Sequence, residues 1–133
     1  MQKQTAILLG CAAAVWMFCG ALIGIGRQYL SMDTTLIVHA VGAPIGAVVL
    51  SWLYFRNFAF TGPLVTATIF VATALILDVF VVALLIEKSF DMFQSVLGLW
   101  LPQILIFAAT YVTGWLTMSP RPNPCASADE TAG

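Results

Sequence analysis

The chain has 133 residues, 61% of them apolar and 8% charged, and a formal net charge of −1. A soluble domain usually carries about 25% charged residues, so this chain has too little polar surface to keep a globule dispersed in water. The same composition excludes a disordered tail, a disulfide-stapled secreted module and a basic nucleic-acid binder.

Four apolar runs follow one another, 5–26, 34–55, 63–86 and 93–117, each 22 to 25 residues long. About 20 apolar residues cross a hydrocarbon core of about 30 Å. In lipid every backbone N–H must find a carbonyl within its own segment, so all four runs are predicted to be transmembrane helices. Membrane strands would be short and alternating; these runs are long and continuous. The connections 27–33, 56–62 and 87–92 are only six or seven residues long. Such lengths predict an all-α fold, an antiparallel four-helix bundle over 1–118 with consecutive helices as neighbours. Ser119-Pro120-Arg121-Pro122-Asn123-Pro124 stops the last helix, and 119–133 is expected to be a disordered polar tail. Leu8-Leu9-Gly10-Cys11 has the look of a lipoprotein cleavage site, but the apolar core ahead of Cys11 is shorter than a signal requires, so the first run reads as a retained helix.

Lys3, Arg56 and Arg121 fall on one side of the predicted bundle, Arg27 and Lys88 on the other. The excess favours cytoplasmic termini in a cell inner (plasma) membrane by a narrow margin, and so slight a bias is also compatible with insertion in both orientations. Trp52, Tyr54, Phe55, Phe58 and Phe60 cluster at the end of run two, and Tyr29, Phe90, Phe93 and Trp115 lie near other ends. These are the positions of an interfacial aromatic belt.

Small residues let helices approach in a bilayer. Gly10, Ala13, Ala14, Met17, Gly20 and Gly24 form a stripe on run one, and Gly42 and Gly46, with Ala43 beside them, form one on run two. Both stripes are expected at helix contacts. Pro44, near the middle of run two, lacks the N–H that would reach the Ala40 carbonyl and is expected to kink the helix. His39 shares the Gly42–Gly46 stripe; Ala67, Val71, Ala74 and Asp78 share a face of run three; Gln103, Thr110, Gly114 and Thr117 share one of run four.

Asp78 is the only formally charged residue inside the four runs. At 1.5 Å per residue, His39, Asp78 and Gln103 lie about 8, 5 and 3 Å from the centres of their runs, all displaced towards the side of connections 27–33 and 87–92. They can therefore share one layer. A carboxylate at that depth costs about 2.5–3.5 kcal/mol, a cost reduced by protonation, by an imidazolium partner or by amide and hydroxyl donors. Asp78, His39 and Gln103 are thus candidates for a proton or cation site; the competing role is an interhelical hydrogen bond that only fixes the bundle, worth about 0.6–2 kcal/mol.

Cys11, Cys19 and Cys125 form no CxxC pair, and no metal-ligand set, nucleophile motif, paired catalytic carboxylates or phosphate-cradling loop stands in the sequence. No cofactor and no enzymatic activity are expected. Glu87, Lys88 and Asp91 read as a solvated turn, Arg27 and Arg56 as interfacial anchors. Residues 20–29, Gly20-Ala21-Leu22-Ile23-Gly24-Ile25-Gly26-Arg27-Gln28-Tyr29, with Thr35–Gly42 and Gly46, resemble the opening of small four-helix fluoride channels. The chain departs from that family where His39 replaces a polar-track asparagine, in its Arg spacing, and in run three, where Asp78 stands and the Thr-Thr-Phe-Ser signature is missing; no membership is assigned. The expected role is a small proton- or cation-coupled transporter or channel component, with a non-catalytic accessory or assembly subunit of a membrane complex as the alternative. Its expected partners are the lipid bilayer and further copies of itself or another membrane protein, and no nucleic acid.

Overall fold

The computed structural model describes residues 1–86, 94 and 96–119. It is helical throughout: α1 (Gln2–Tyr29), α2 (Met32–Asn57), α3 (Pro63–Leu77) and α4 (Leu101–Met118). Beyond Leu77 the third rod continues in the wider π winding over Asp78–Ile86, and a second π segment, Val96–Trp100, leads into α4. Among the described residues four stretches are long and apolar enough to cross a membrane, Gln2–Tyr29, Met32–Asn57, Pro63–Val81 and Gly98–Met118. Connection 87–92, the start of run four at 93 and the tail from 120 lie outside the described residues.

Local chemistry sets the helix ends. The first connection shrinks from the expected 27–33 to Leu30 and Ser31, because α1 and α2 carry their helical hydrogen bonds into the polar flanks. Ser31 caps α2 by accepting from the Thr34 N–H at 3.3 Å, and Asp33 complements the positive end of the helix. Pro63 opens α3, where a missing N–H costs nothing. At the end of α2 the N–H groups of Phe58 and Ala59 both donate to the Tyr54 carbonyl, and Ala59 takes a left-handed φ of 46° that glycine usually fills.

The packing order around the molecule is α1, α2, α4, α3: α2 packs on α1 and α4, and α3 on α4 and α1. This corrects one expectation. Consecutive helices α2 and α3 are not packed neighbours among the described residues but sit across the diagonal. Five residues, 58–62, separate them; such a segment reaches about 17 Å when extended, more than the diagonal of about 13 Å implied by interaxial distances of 8–10 Å. A hydroxyl cluster ties this crossing down: Tyr54 Oη lies 3.0 Å from Thr61 Oγ1, which lies 2.7 Å from Thr66 Oγ1.

Glycines mark the closest helix contacts. A Cβ on Gly46 would fall 2.5 Å from the Phe18 ring, one on Gly42 2.5 Å from Leu22, and one on Gly114 2.6 Å from Phe55 and 2.8 Å from Pro63. Gly10, Gly20 and Gly24 differ: nothing lies within 4 Å of a Cβ at any of them. The face α1 buries runs instead through Leu8, Ala12, Val15, Cys19 and Gly26, because bulkier side chains on that face gain more dispersion contact than the glycine stripe could. Pro44 stands inside an α2 that continues past it to Asn57. The outer faces are apolar and bare, with Met17, Ile25, Val41, Ile45, Leu64, Ile76, Ile104 and Leu116 all exposed.

Candidate functional site

Asp78 is the residue at which α3 passes into π winding, and its backbone N–H is shared between the carbonyls of Ala74 and Leu75. π segments are rare and frequent at functional positions. Asp78 is 9% exposed, and its carboxylate turns inward to two other helices. Trp16 of α1 donates its indole N–H to Oδ1 at 2.8 Å, and Gln103 of α4 donates Nε2–H to Oδ2 at 3.2 Å. One side chain therefore joins three helices.

A cavity of about 350 Å³ opens beside this cluster. One face of α1 forms its long wall, Trp16, Cys19, Gly20, Ile23, Gly24 and Arg27, one turn apart. Met32, Leu36 and His39 come from α2, Ala74 and Asp78 from the third rod, and Gly98, Leu99, Pro102, Gln103 and Ile106 from the fourth. Gly20 and Gly24 border the cavity, with nothing within 4 Å of a Cβ at either. These two glycines, expected at a helix contact, are cavity wall.

The three residues singled out from sequence line the same cavity. Asp78 and Gln103 are hydrogen-bonded, whereas among the described residues no hydrogen bond or ion pair joins His39 to Asp78. His39 is 5% exposed, with Nδ1 buried and without a partner among the described residues; Gln103, 8% exposed, has Oε1 in the same condition. An ionised carboxylate only accepts, so Gln103 must point its NH₂ at Asp78 and leave its carbonyl oxygen over.

Trp16 was not among the residues the sequence singled out. The signal for it was depth: it lies at the centre of run one, where an indole is not interfacial and its N–H must find an acceptor. Arg27, expected as an interfacial anchor, also borders the cavity. Among the described residues no group of three His, Cys, Asp or Glu side chains could hold a metal ion. Comparison of the chain with known protein families, curated proteins and solved structures finds no match to any of them.

Proposed function

We propose that this chain is a multi-pass membrane protein in which Asp78 binds a proton or a cation as part of a small transporter or channel component. An inverted polarity supports the membrane setting: the exposed faces carry large apolar side chains while Asp78, His39, Gln103, Thr35, Ser51, Thr66 and Thr110 are buried. An antiparallel arrangement is supported by contacts that run in opposite chain order, Gly26 to Thr35, Leu22 to Gly42 and Phe18 to Gly46 between α1 and α2, then Asp78 to Gln103 and Pro63 to Gly114 between α3 and α4. Cytoplasmic termini in a cell inner membrane and assembly with further copies belong to the same proposal, resting on the Lys/Arg asymmetry and on the apolar outer faces.

The observation that carries the proposal is a buried carboxylate bordering a cavity that His39 and Gln103 also line, each with a buried polar atom that has no partner among the described residues. A carboxylate inside an apolar bundle is costly, and such groups mark ion and proton paths. Asp78→Asn keeps the shape and one acceptor oxygen, and keeps the second contact if the Gln103 amide turns over, while removing the titrating group. In proteoliposomes under an imposed ion gradient, proton or cation flux through the wild type should collapse in Asp78→Asn while the assembly persists. Equal flux in both proteins refutes the proposal.

A second role has its own support. Both carboxylate oxygens already accept from Trp16 and Gln103, the pattern of a clamp among α1, α3 and α4. An accessory or assembly subunit using Asp78 only in that way would stay functional as Asp78→Asn and lose association as Asp78→Leu.

A further inference from the structure

We infer that the cavity beside Asp78 is a binding site for a small organic ammonium ion, a cation with N–H donors on a compact apolar body. The inference deepens the cation site proposed above and rests on it. Three properties of the cavity select this class. Its volume of about 350 Å³ falls at the lower end of small-molecule sites, about 300–1,000 Å³, and exceeds what a proton or bare metal ion needs. Its wall is largely apolar, with Ile23, Leu36, Leu99 and Ile106 among the lining residues, and it stays open at Gly20 and Gly24.

The polar groups that border the cavity have unused acceptor capacity, beside one N–H of a neutral His39 ring and the second Nε2–H of Gln103. Asp78 accepts at both oxygens and keeps spare lone pairs, Gln103 Oε1 has no partner, and a neutral His39 ring has one acceptor nitrogen in either tautomer. The indole N–H of Trp16 and the Nε2–H of Gln103 that reach Asp78 are already spent on it. Arg27 borders the cavity eleven residues further along α1, which sets its backbone about 16 Å from the level of Trp16. A buried acceptor left unpaired is costly, and an –NH₃⁺ group supplies three donors and the charge that complements a carboxylate. An anion would meet the carboxylate, a neutral apolar molecule would leave the acceptors bare, and a quaternary ammonium has no N–H to give.

Calorimetric titration of the full chain in lipid nanodiscs with phenethylammonium tests this, with phenethyl alcohol and phenethyltrimethylammonium as matched probes. Saturable binding of phenethylammonium is expected, weakened about tenfold or more by Asp78→Asn, the scale of one charge-assisted hydrogen bond, and weaker by a similar factor for the two other probes. Gly24→Leu puts a side chain where nothing lies within 4 Å; it should keep the helical circular dichroism and lose the binding. The inference is overturned if either matched probe binds as tightly as phenethylammonium, if both variants bind as the wild type does, or if no saturable binding occurs. Asp78-dependent ion flux without ammonium binding overturns it too, but leaves the simpler cation site standing. Ammonium binding without Asp78-dependent flux upholds the ligand site and refutes transport.

Discussion

Trp16→Phe removes one hydrogen-bond donor from Asp78 and little else, since a six-membered ring remains to pack. The lost bond is 2.8 Å long and ends on a carboxylate. Hydrogen bonds to charged groups contribute about 1.5–3 kcal/mol in soluble proteins, whereas interhelical ones in membrane bundles average about 0.6 and reach about 1.7 kcal/mol. The short distance and the charge place this bond in the upper part of the membrane range, so Trp16→Phe should cost about 1–1.7 kcal/mol. Gln103→Leu, which removes a longer contact of 3.2 Å, should cost less. Removing both donors strands the carboxylate, and the double variant should lose more than the two single losses added, approaching the insertion cost of about 2.5–3.5 kcal/mol. Reversible unfolding in mixed micelles, driven by sodium dodecyl sulfate and followed by far-ultraviolet circular dichroism, measures all three. Charge-assisted bonds are roughly twice as strong as neutral ones, so the Trp16→Phe loss should fall to about half in an Asp78→Asn background. An unchanged loss in that background would show that the indole acts through packing and not through Asp78.

Other substitutions probe the frame that holds this cluster. Gly114→Ala would set a Cβ 2.6 Å from the buried Phe55 ring and 2.8 Å from Pro63, and overpacking of this kind costs about 1–3 kcal/mol; Gly10→Ala, with open space around it, should be neutral in the same unfolding assay. Tyr54→Phe breaks the contact to Thr61 across the α2–α3 crossing and should cost about 1 kcal/mol, with faster amide exchange in 58–62 seen by mass spectrometry. Ala59→Gly relieves a left-handed backbone at φ 46° and should stabilise the protein by about 1 kcal/mol; a loss of stability would mean that the methyl group, not the backbone, matters there.

Much of the frame was legible in the chain, because a run of more than twenty apolar residues has few places to go. The four helices and the inward turn of Asp78 follow from period, length and the cost of a carboxylate in an apolar bundle; His39, expected in the same layer, lines the same cavity but faces the Leu22–Gly26 stretch of α1 and not Trp16. The order around the bundle was not legible: a connection of seven residues permits either an adjacent or a diagonal return, and only three-dimensional packing chooses. Nor could the role of the small residues be read from spacing. Gly42 and Gly46 receive Leu22 and Phe18, while Gly20 and Gly24, at the same spacing, border a cavity. The difference lies in which side chain the facing helix happens to present. Trp16 was hidden because apolar composition absorbs tryptophan without comment, and its donor becomes informative only once its depth is compared with that of Asp78. The π winding from Asp78 onward leaves no mark in the hydrophobic pattern at all.

The central claim is that Asp78 is an exchangeable ion-binding group and not a locked strut. Infrared difference spectroscopy of the chain in lipid bilayers, with Asp78→Asn to assign the carboxyl bands, tests it most directly. The account predicts that the Asp78 band shifts on transfer from H₂O to D₂O and follows bulk pH reversibly, because the cavity gives protons access to it. A band that ignores both solvent isotope and pH would contradict the account and leave Asp78 as a structural clamp.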